Sequence, residues 1–286
     1  MTDIEKIFTY QINWKSHGYH TGSHRGTHIG LGFDFRGNSP LLEYPDPRRV
    51  DIRQTINDLT DQVHVRVFNQ KNATPVYALC DLSASMRFKG KQKKIALAAE
   101  IVASIAYSVQ EAGDAFGFIG FSQVISEDWI IKPTIKQTYV DQLIERLANF
   151  QPTSSGINGL FDINQHMNKK RGLIFIISDF HVSLKTLNAI LPMLANHHVV
   201  PVVLWDENEC ENLPNFGFST FIDPETGAQR TLFFRKALRD RFRKMFFERK
   251  QQLSEVFAQH EMPPCFIDKG YNPKVFSEYF HQFSVA

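Results

Sequence analysis

Regular patterning begins late in the chain. From Pro75 onward, short apolar runs alternate with segments whose apolar residues recur at helical spacing. VYALCD at 76–81 has strand length and ends in a carboxylate. Residues 95–110 then carry a helical period that Ala112, Gly113 and Asp114 bring to a stop. The alternation continues with a strand AFGFIGF at 115–121, helices over 138–147 and 158–167, a strand GLIFIIS at 172–178, a helix over 184–195 and a strand VVPVVLW at 199–205. Strands that read as continuous apolar runs, separated by helices, are buried on both faces. The pattern therefore predicts an α/β protein, doubly wound, with a mostly parallel central sheet and helices on both sides.

Beyond Asp206 the pattern loosens through Pro214, and Asp223, Pro224 and Gly227 predict a hairpin turn. Phe234, Leu238, Phe242, Met245, Phe246, Leu253, Val256 and Phe257 then recur at helical intervals, predicting a long helix that lays one apolar stripe on the body of the protein. A strand at 265–268 and a helix over 273–283 complete the sheet. Residues 1–70 differ. Gly18, Gly22, Gly26, Gly30 and Gly32, then Pro40, Pro45 and Pro47, interrupt every helix there. The expectation is an N-terminal extension of loops and short strands, 1–70, packed on a main domain, 71–286.

Composition narrows the partners little. Among 286 residues, 32 Lys plus Arg against 30 Asp plus Glu leave a formal charge of +2, so any electrostatic function must come from local patches. Cys80, Cys210 and Cys265 form no CxxC pair and suggest a reducing compartment. The longest apolar stretches, 172–177 and 199–205, fall short of the roughly 20 residues that span a bilayer. The first residues, MTDIEKIFTYQINWK, lack the basic start and apolar stretch of a signal peptide. A cytoplasmic protein without membrane insertion is expected.

In doubly wound sheets, ligands bind outside the carboxyl ends of the strands. Three loops there carry polar side chains. The first strand runs into DLSAS, with Asp81, Ser83 and Ser85. The strand 172–178 ends in Ser178 and is followed by Asp179, and the loop PTSSG at 152–156 offers Thr153, Ser154 and Ser155. Two carboxylates among several hydroxyls suit a hard divalent cation, Mg²⁺ or Mn²⁺, which takes oxygen ligands.

This DxSxS strand end, the hydroxyl loop and the SD strand end together resemble the metal-ion-dependent adhesion site of von Willebrand factor A domains. The resemblance implies that Ser83 and Ser85 ligate the metal directly, while Asp81 and Asp179 act directly or through water. A third hydroxyl would come from Ser155, which Ile157 and Phe161 follow at the family's apolar spacing, or from Thr153, the only threonine of that loop. More narrowly, GLGFDF at 30–35, EYPDPRRVDIR at 43–53, VRVF at 65–68 and the Ser85–Met86 pair are similar to family 58 of the domains of unknown function. Glu43, Pro47 and the missing Asp-Trp ending depart from that family's pattern. Its members are von Willebrand-like proteins often encoded beside MoxR-type AAA+ ATPases. The resemblance implies a protein-interaction module that binds a partner's Glu or Asp through the metal, working with such an ATPase in protein maturation or complex assembly.

Plainer readings stand beside this one. A lone DxSxS is commonly a helix cap, with Asp81 or Ser83 accepting from helical amides. His17, His20, His24 and His28 sit among Gly, Ser and Thr and read as a solvated loop. Arg48, Arg49 and Arg53 are expected to pair with Asp46 and Asp51. The basic helix 234–250 suggests nucleic-acid binding, but its aromatic residues fall on the apolar stripe and not among the charges, so a solvated face is favoured. The enzyme alternative is a Mg-dependent phosphohydrolase with Asp81 as nucleophile. Ser83 stands where such enzymes carry a second carboxylate, and no GxSxG or Walker motif occurs. The sequence thus predicts no catalytic activity.

Overall fold

The computed structural model describes residues 7–10, 12, 21–60, 62–90, 92–205, 216–222, 228–268 and 270–283. The chain divides into two compact units, the smaller formed by residues 11–74 and 112–114 and the larger by the rest. Residues 7–10 thus belong with the larger unit, although they precede the smaller one in sequence.

The smaller unit is built on a long irregular ribbon. Strand β1 (Thr21–Pro40) pairs antiparallel with β2 (His64–Asn72), and register shifts interrupt the ladder at four points. Between them lies a single-turn helix, α1 (Ile52–Ile56), capped by Asp51, whose carboxylate accepts from the amides of Arg53 and Gln54. Two expectations are corrected here. A strand of 20 residues replaces short strands: Gly22, Gly26, Gly30 and Gly32 fall in the register shifts, where the chain bulges out of the pairing and then resumes it. A helix also forms where none was expected, because Asp51 satisfies two of its free amides. His24 and His28 fall within β1 and not in a loop, while His17 and His20 lie outside the described residues. Arg49 pairs with Asp46 at 3.3 Å, whereas Asp51 takes Arg66 at 2.8 Å in place of a neighbouring arginine.

The larger unit holds the predicted sheet. Strands β3 (Pro75–Asp81), β4 (Ala115–Phe121), β5 (Ile125–Thr134), β6 (Leu173–Ser178), β7 (His198–Leu204) and β10 (Cys265–Ile267) lie in the order β10-β7-β6-β3-β4-β5. All pairs are parallel except β4 with β5. The helices are α2 (Lys94–Glu111), α3 (Gln137–Ala148), α4 (Ile163–His166), α5 (Leu184–Ile190), α6 (Lys236–Gln259) and α7 (Pro273–Phe283). A two-stranded hairpin, β8 (Gly217–Ile222) with β9 (Gln229–Phe234), precedes α6. Its predicted turn at Asp223, Pro224 and Gly227 lies outside the described residues, as does Cys210.

Strand side chains alternate between faces. Tyr77 and Leu79 of β3 join Ile174 and Ile176 of β6 in a core closed by residues from 157–167, α5 and the end of α6. Phe175, one position away, meets Phe276 and Phe280 of α7 and Phe8 on the opposite face. Both faces are therefore covered, and the α/β class follows directly.

Three details differ from the sequence expectation. Strand β5 was not anticipated, since Glu127, Asp128 and Pro133 break any apolar run. The helix expected over 158–167 is a 3-10 turn at Asn158–Asp162 followed by four α-helical residues. The stripe of α6 is buried only at Leu253, Val256 and Phe257; Met245 is exposed, and Phe234 lies in β9. Among the described residues, no helix is long and apolar enough to cross a membrane.

Candidate metal centre

Strands β3 and β6 are hydrogen-bonded neighbours, so their carboxyl ends bring Asp81, Ser178 and Asp179 together although 97 residues separate the first two. Each strand end closes in a tight turn made by its own side chains. The Asp81 Oδ1 accepts from the Ser83 amide at 2.8 Å, the Ser178 Oγ from the Phe180 amide at 3.0 Å, and the Asp179 Oδ1 from the His181 amide at 3.3 Å. The Ser178 hydroxyl also donates to the Asp81 Oδ2 at 2.6 Å, linking the two strand ends.

Ser83 and Ser85 follow on the β3 side, with their hydroxyls 3.0 Å apart. Ser83 precedes a one-turn 3-10 helix, Ala84–Arg87, and makes no side-chain cap bond to it, while α2 starts only at Lys94. The helix-cap reading of DLSAS is thereby set aside. The third predicted loop arrives by its backbone: Ser154 forms a parallel bridge with Ser83, and the Ala84 amide donates to the Ser154 carbonyl at 2.7 Å. Gly156 turns that loop at φ +79°, a backbone conformation that glycine adopts without strain and other residues rarely do. Thr153 and Ser155 are both exposed on it, and Ser154 is half-buried.

Asp81, Ser83, Ser85, Ser178 and Asp179 are all buried, at 0–8% exposure. Polar groups so placed require compensation. For Asp179 it comes from Lys94, whose ammonium lies 2.9 Å from Oδ2 with both side chains at most 5% exposed. Burial alone would raise the Asp179 carboxyl; the charges of Lys94 and His181 and their hydrogen bonds outweigh it and hold the carboxyl below its ordinary value. Asp81 meets the Ser83 amide and the hydroxyls of Ser178 and Ser83. Burial, then the charge of Asp179, pushes it up to about 7.

The β6 end is braced from outside. Trp205 donates its indole N–H to the Asp179 carbonyl at 2.7 Å, and the Arg249 guanidinium of α6 donates to the carbonyls of Phe180 and Val182. Phe180 adopts φ 49°, a left-handed conformation costly for a bulky residue, and is held there by an edge-on contact with Phe257. Arg249, within the basic helix, is thus a structural brace.

Sequence reasoning did not find Lys94. The signal was present: Lys94, Leu97, Ala98 and Ile101 share one helical face, so the period places a lysine on a buried stripe. It also stands in the first turn of α2, where the helix dipole disfavours a cation unless an anion faces it.

Among the described residues, no three His, Cys, Asp or Glu side chains are grouped to hold a metal. A cation at the strand ends must therefore take hydroxyls. The donor set fits that demand. The Ser83 and Ser85 hydroxyls share a hydrogen bond at 3.0 Å, which leaves their oxygens near enough to serve as adjacent ligands of one octahedral cation, whose neighbouring vertices are about 2.9 Å apart at the roughly 2.0–2.1 Å that Mg²⁺ requires.

Sheet order and strand-end chemistry define a doubly wound α/β protein with a polar site at the carboxyl edge of its central strands. Residues 46–252 match the family described as protein of unknown function DUF58, and the chain belongs to that family. It is 26% identical over 237 residues to an uncharacterized protein of Mycobacterium tuberculosis, spanning 81% of this chain and 73% of that one. A Paracoccus denitrificans protein described as uncharacterized, in the moxR 3′ region, is 31% identical over 99 residues, 35% of this chain and 94% of its own. Among solved structures, the chain is similar to the conserved hypothetical protein BatB from Bacteroides thetaiotaomicron, with 12% identity, TM-score 0.48 and coverage of 75% of this chain and all of that one. It is also similar to a von Willebrand factor type A protein from Catenulispora acidiphila, with 10% identity, TM-score 0.41 and coverage of 76% and 43% respectively.

Proposed function

We propose that the protein is a binding module that engages an acidic side chain of a protein partner through Mg²⁺ or Mn²⁺. Ser83 and Ser85 would hold the cation directly, Asp81 and Asp179 directly or through water, and Ser155 or Thr153 would supply a loop hydroxyl. The observation that carries this reading is the pair of buried, mutually hydrogen-bonded hydroxyls 3.0 Å apart beside a buried carboxylate that meets the Ser83 amide and the hydroxyls of Ser178 and Ser83. A bound cation supplies a Lewis-acidic position that a partner's carboxylate completes. The protein's own residues fix the donors in place. The Ser83 amide and Ser178 hydroxyl aim the Asp81 carboxylate, and the Ser83–Ser154 bridge seats the hydroxyl loop beside it. A MoxR-type AAA+ ATPase is the partner proposed, on the strength of the Paracoccus relative described as lying in the moxR 3′ region. We further propose that the module turns over no substrate and acts in the cytoplasm.

The test pairs capture with calorimetry. A purified MoxR-type ATPase should be retained by the immobilised protein in Mg²⁺, and lost both in EDTA and with Ser83→Ala plus Ser85→Ala. Mn²⁺ titration should fail with Asp81→Ala. Capture that is indifferent to EDTA would overturn the metal role. Mg²⁺-dependent phosphate release that vanishes in Asp81→Asn would replace the binding reading with a phosphohydrolase.

A further inference from the structure

Asp81 and Asp179 are equally buried, yet only Asp179 is faced by the Lys94 ammonium, at 2.9 Å. Both oxygens of Asp179 are engaged, Oδ2 by the ammonium and Oδ1 by the His181 amide. Asp81 receives the Ser83 amide and the hydroxyls of Ser178 and Ser83. The two strand ends therefore hold one tethered ammonium and two carboxylates, with His181 beside Asp179 and the Ser83 and Ser85 hydroxyls on the Asp81 side.

We infer that Lys94 is a built-in charge regulator of the cation position, taking up the charge of Asp179 so that a divalent ion at Ser83 and Ser85 is left short of negative charge. The inference rests on the metal-dependent reading above. Its content is a charge count over Asp81, Asp179 and Lys94, with His181 the same in every variant and so absent from the differences. A divalent ion with Asp81, Asp179 and Lys94 leaves a net charge of +1, whereas without Lys94 the same site would be neutral. A site left at +1 holds its metal loosely when alone and is completed by one further monoanion, such as a single Glu or Asp side chain. Lys94 thereby trades metal affinity for affinity towards the partner's carboxylate. Its placement supports this role over that of a solvated lysine: it is the first residue of an 18-residue helix, 4% exposed, and fixed by α2 on one side and the end of β6 on the other.

A charge ladder tests the inference in the 286-residue chain, with Mn²⁺ alone as the probe and its dissociation constant read by calorimetry and by the loss of the free Mn²⁺ spin-resonance signal. Lys94→Met, formally neutral when loaded, should bind at least tenfold more tightly than the wild type. Asp179→Asn, formally +2, should bind at least tenfold more weakly. The double variant Lys94→Met plus Asp179→Asn returns to +1 and should fall within about threefold of the wild type, as should Lys94→Arg. If Lys94→Met folds only when Mn²⁺ is added, its melting temperature must rise more steeply with Mn²⁺ than that of the wild type, which is the same prediction read through mass action. Lys94→Met binding as the wild type does, or more weakly, would reduce Lys94 to a structural tie and overturn the inference. Failure of the parent reading looks different: neither the wild type nor Lys94→Met would bind Mn²⁺, or binding would survive Asp81→Ala.

Discussion

Asp81 and Asp179 close two adjacent parallel strands, and both are almost completely buried. Chemically they are opposites. Burial and its neighbour's charge push Asp81 up to about 7, while the Lys94 ammonium keeps Asp179 below the ordinary carboxylate value despite the same burial. One helix-borne cation separates them. Burial therefore sets how much a charge matters at this edge of the sheet, and the nearest counter-charge decides the direction.

The most severe way to break the contrast is to remove the better-compensated carboxylate. Asp179→Ala leaves the Lys94 ammonium buried without its partner and should cost about 3–5 kcal/mol by urea unfolding in EDTA. Asp81→Asn removes a buried charge that hydrogen-bond dipoles support and the Asp179 charge opposes, so at pH 8 in EDTA its cost should stay below about 1 kcal/mol, or become a gain. Equal losses for both variants would erase the distinction.

A pH series sharpens the same comparison. Asp81 has a folded value of about 7 against an ordinary 3.8, so the folded state binds its proton more tightly. Its contribution to stability is fully present below about pH 4 and is lost as pH rises through 7. The lowered carboxyl of Asp179 contributes in the opposite sense, above 3.8, and is lost as pH falls further. In EDTA, the unfolding free energy of the wild type should therefore decline from about pH 4 to 7, by up to about 1.4 kcal/mol per pH unit relative to Asp81→Asn, and level off above that. Parallel curves for the two proteins would contradict the raised value. The smallest effect concerns the brace: Trp205→Phe removes the indole N–H that serves the Asp179 carbonyl and should cost about 1 kcal/mol, measurable by chemical denaturation.

Much of this was legible in the chain. The strands at 76–81, 115–121 and 172–178 announce themselves because parallel strands covered on both faces must be apolar throughout, and their carboxylate ends mark the site by topology alone. Strand β5 was not legible, since an antiparallel edge strand with an exposed side tolerates Ser126, Glu127 and Asp128. The pairing of Lys94 with Asp179 was half-legible. Periodicity places the lysine on the buried face of α2, but nothing local says which of two distant carboxylates it meets; that follows only from the packing of α2 against the end of β6. The hydroxyl loop shows the same limit: its arrival at Ser83 depends on a backbone bridge between residues 71 positions apart in the chain.

The borders of the six-stranded sheet carry a different consequence. One border is β10, only three residues long, and the other is β5, with Glu127, Asp128 and Lys132 exposed and Pro133 unable to donate to a ladder. A sheet finished in this way resists templating by another extended chain, because a short border offers few hydrogen bonds and a charged, proline-bearing one penalises a strand laid beside it. Self-propagating strand addition is thus discouraged along both flanks. Replacing Glu127, Asp128 and Lys132 with threonine should therefore shorten the lag before a thioflavin signal develops in a concentrated solution.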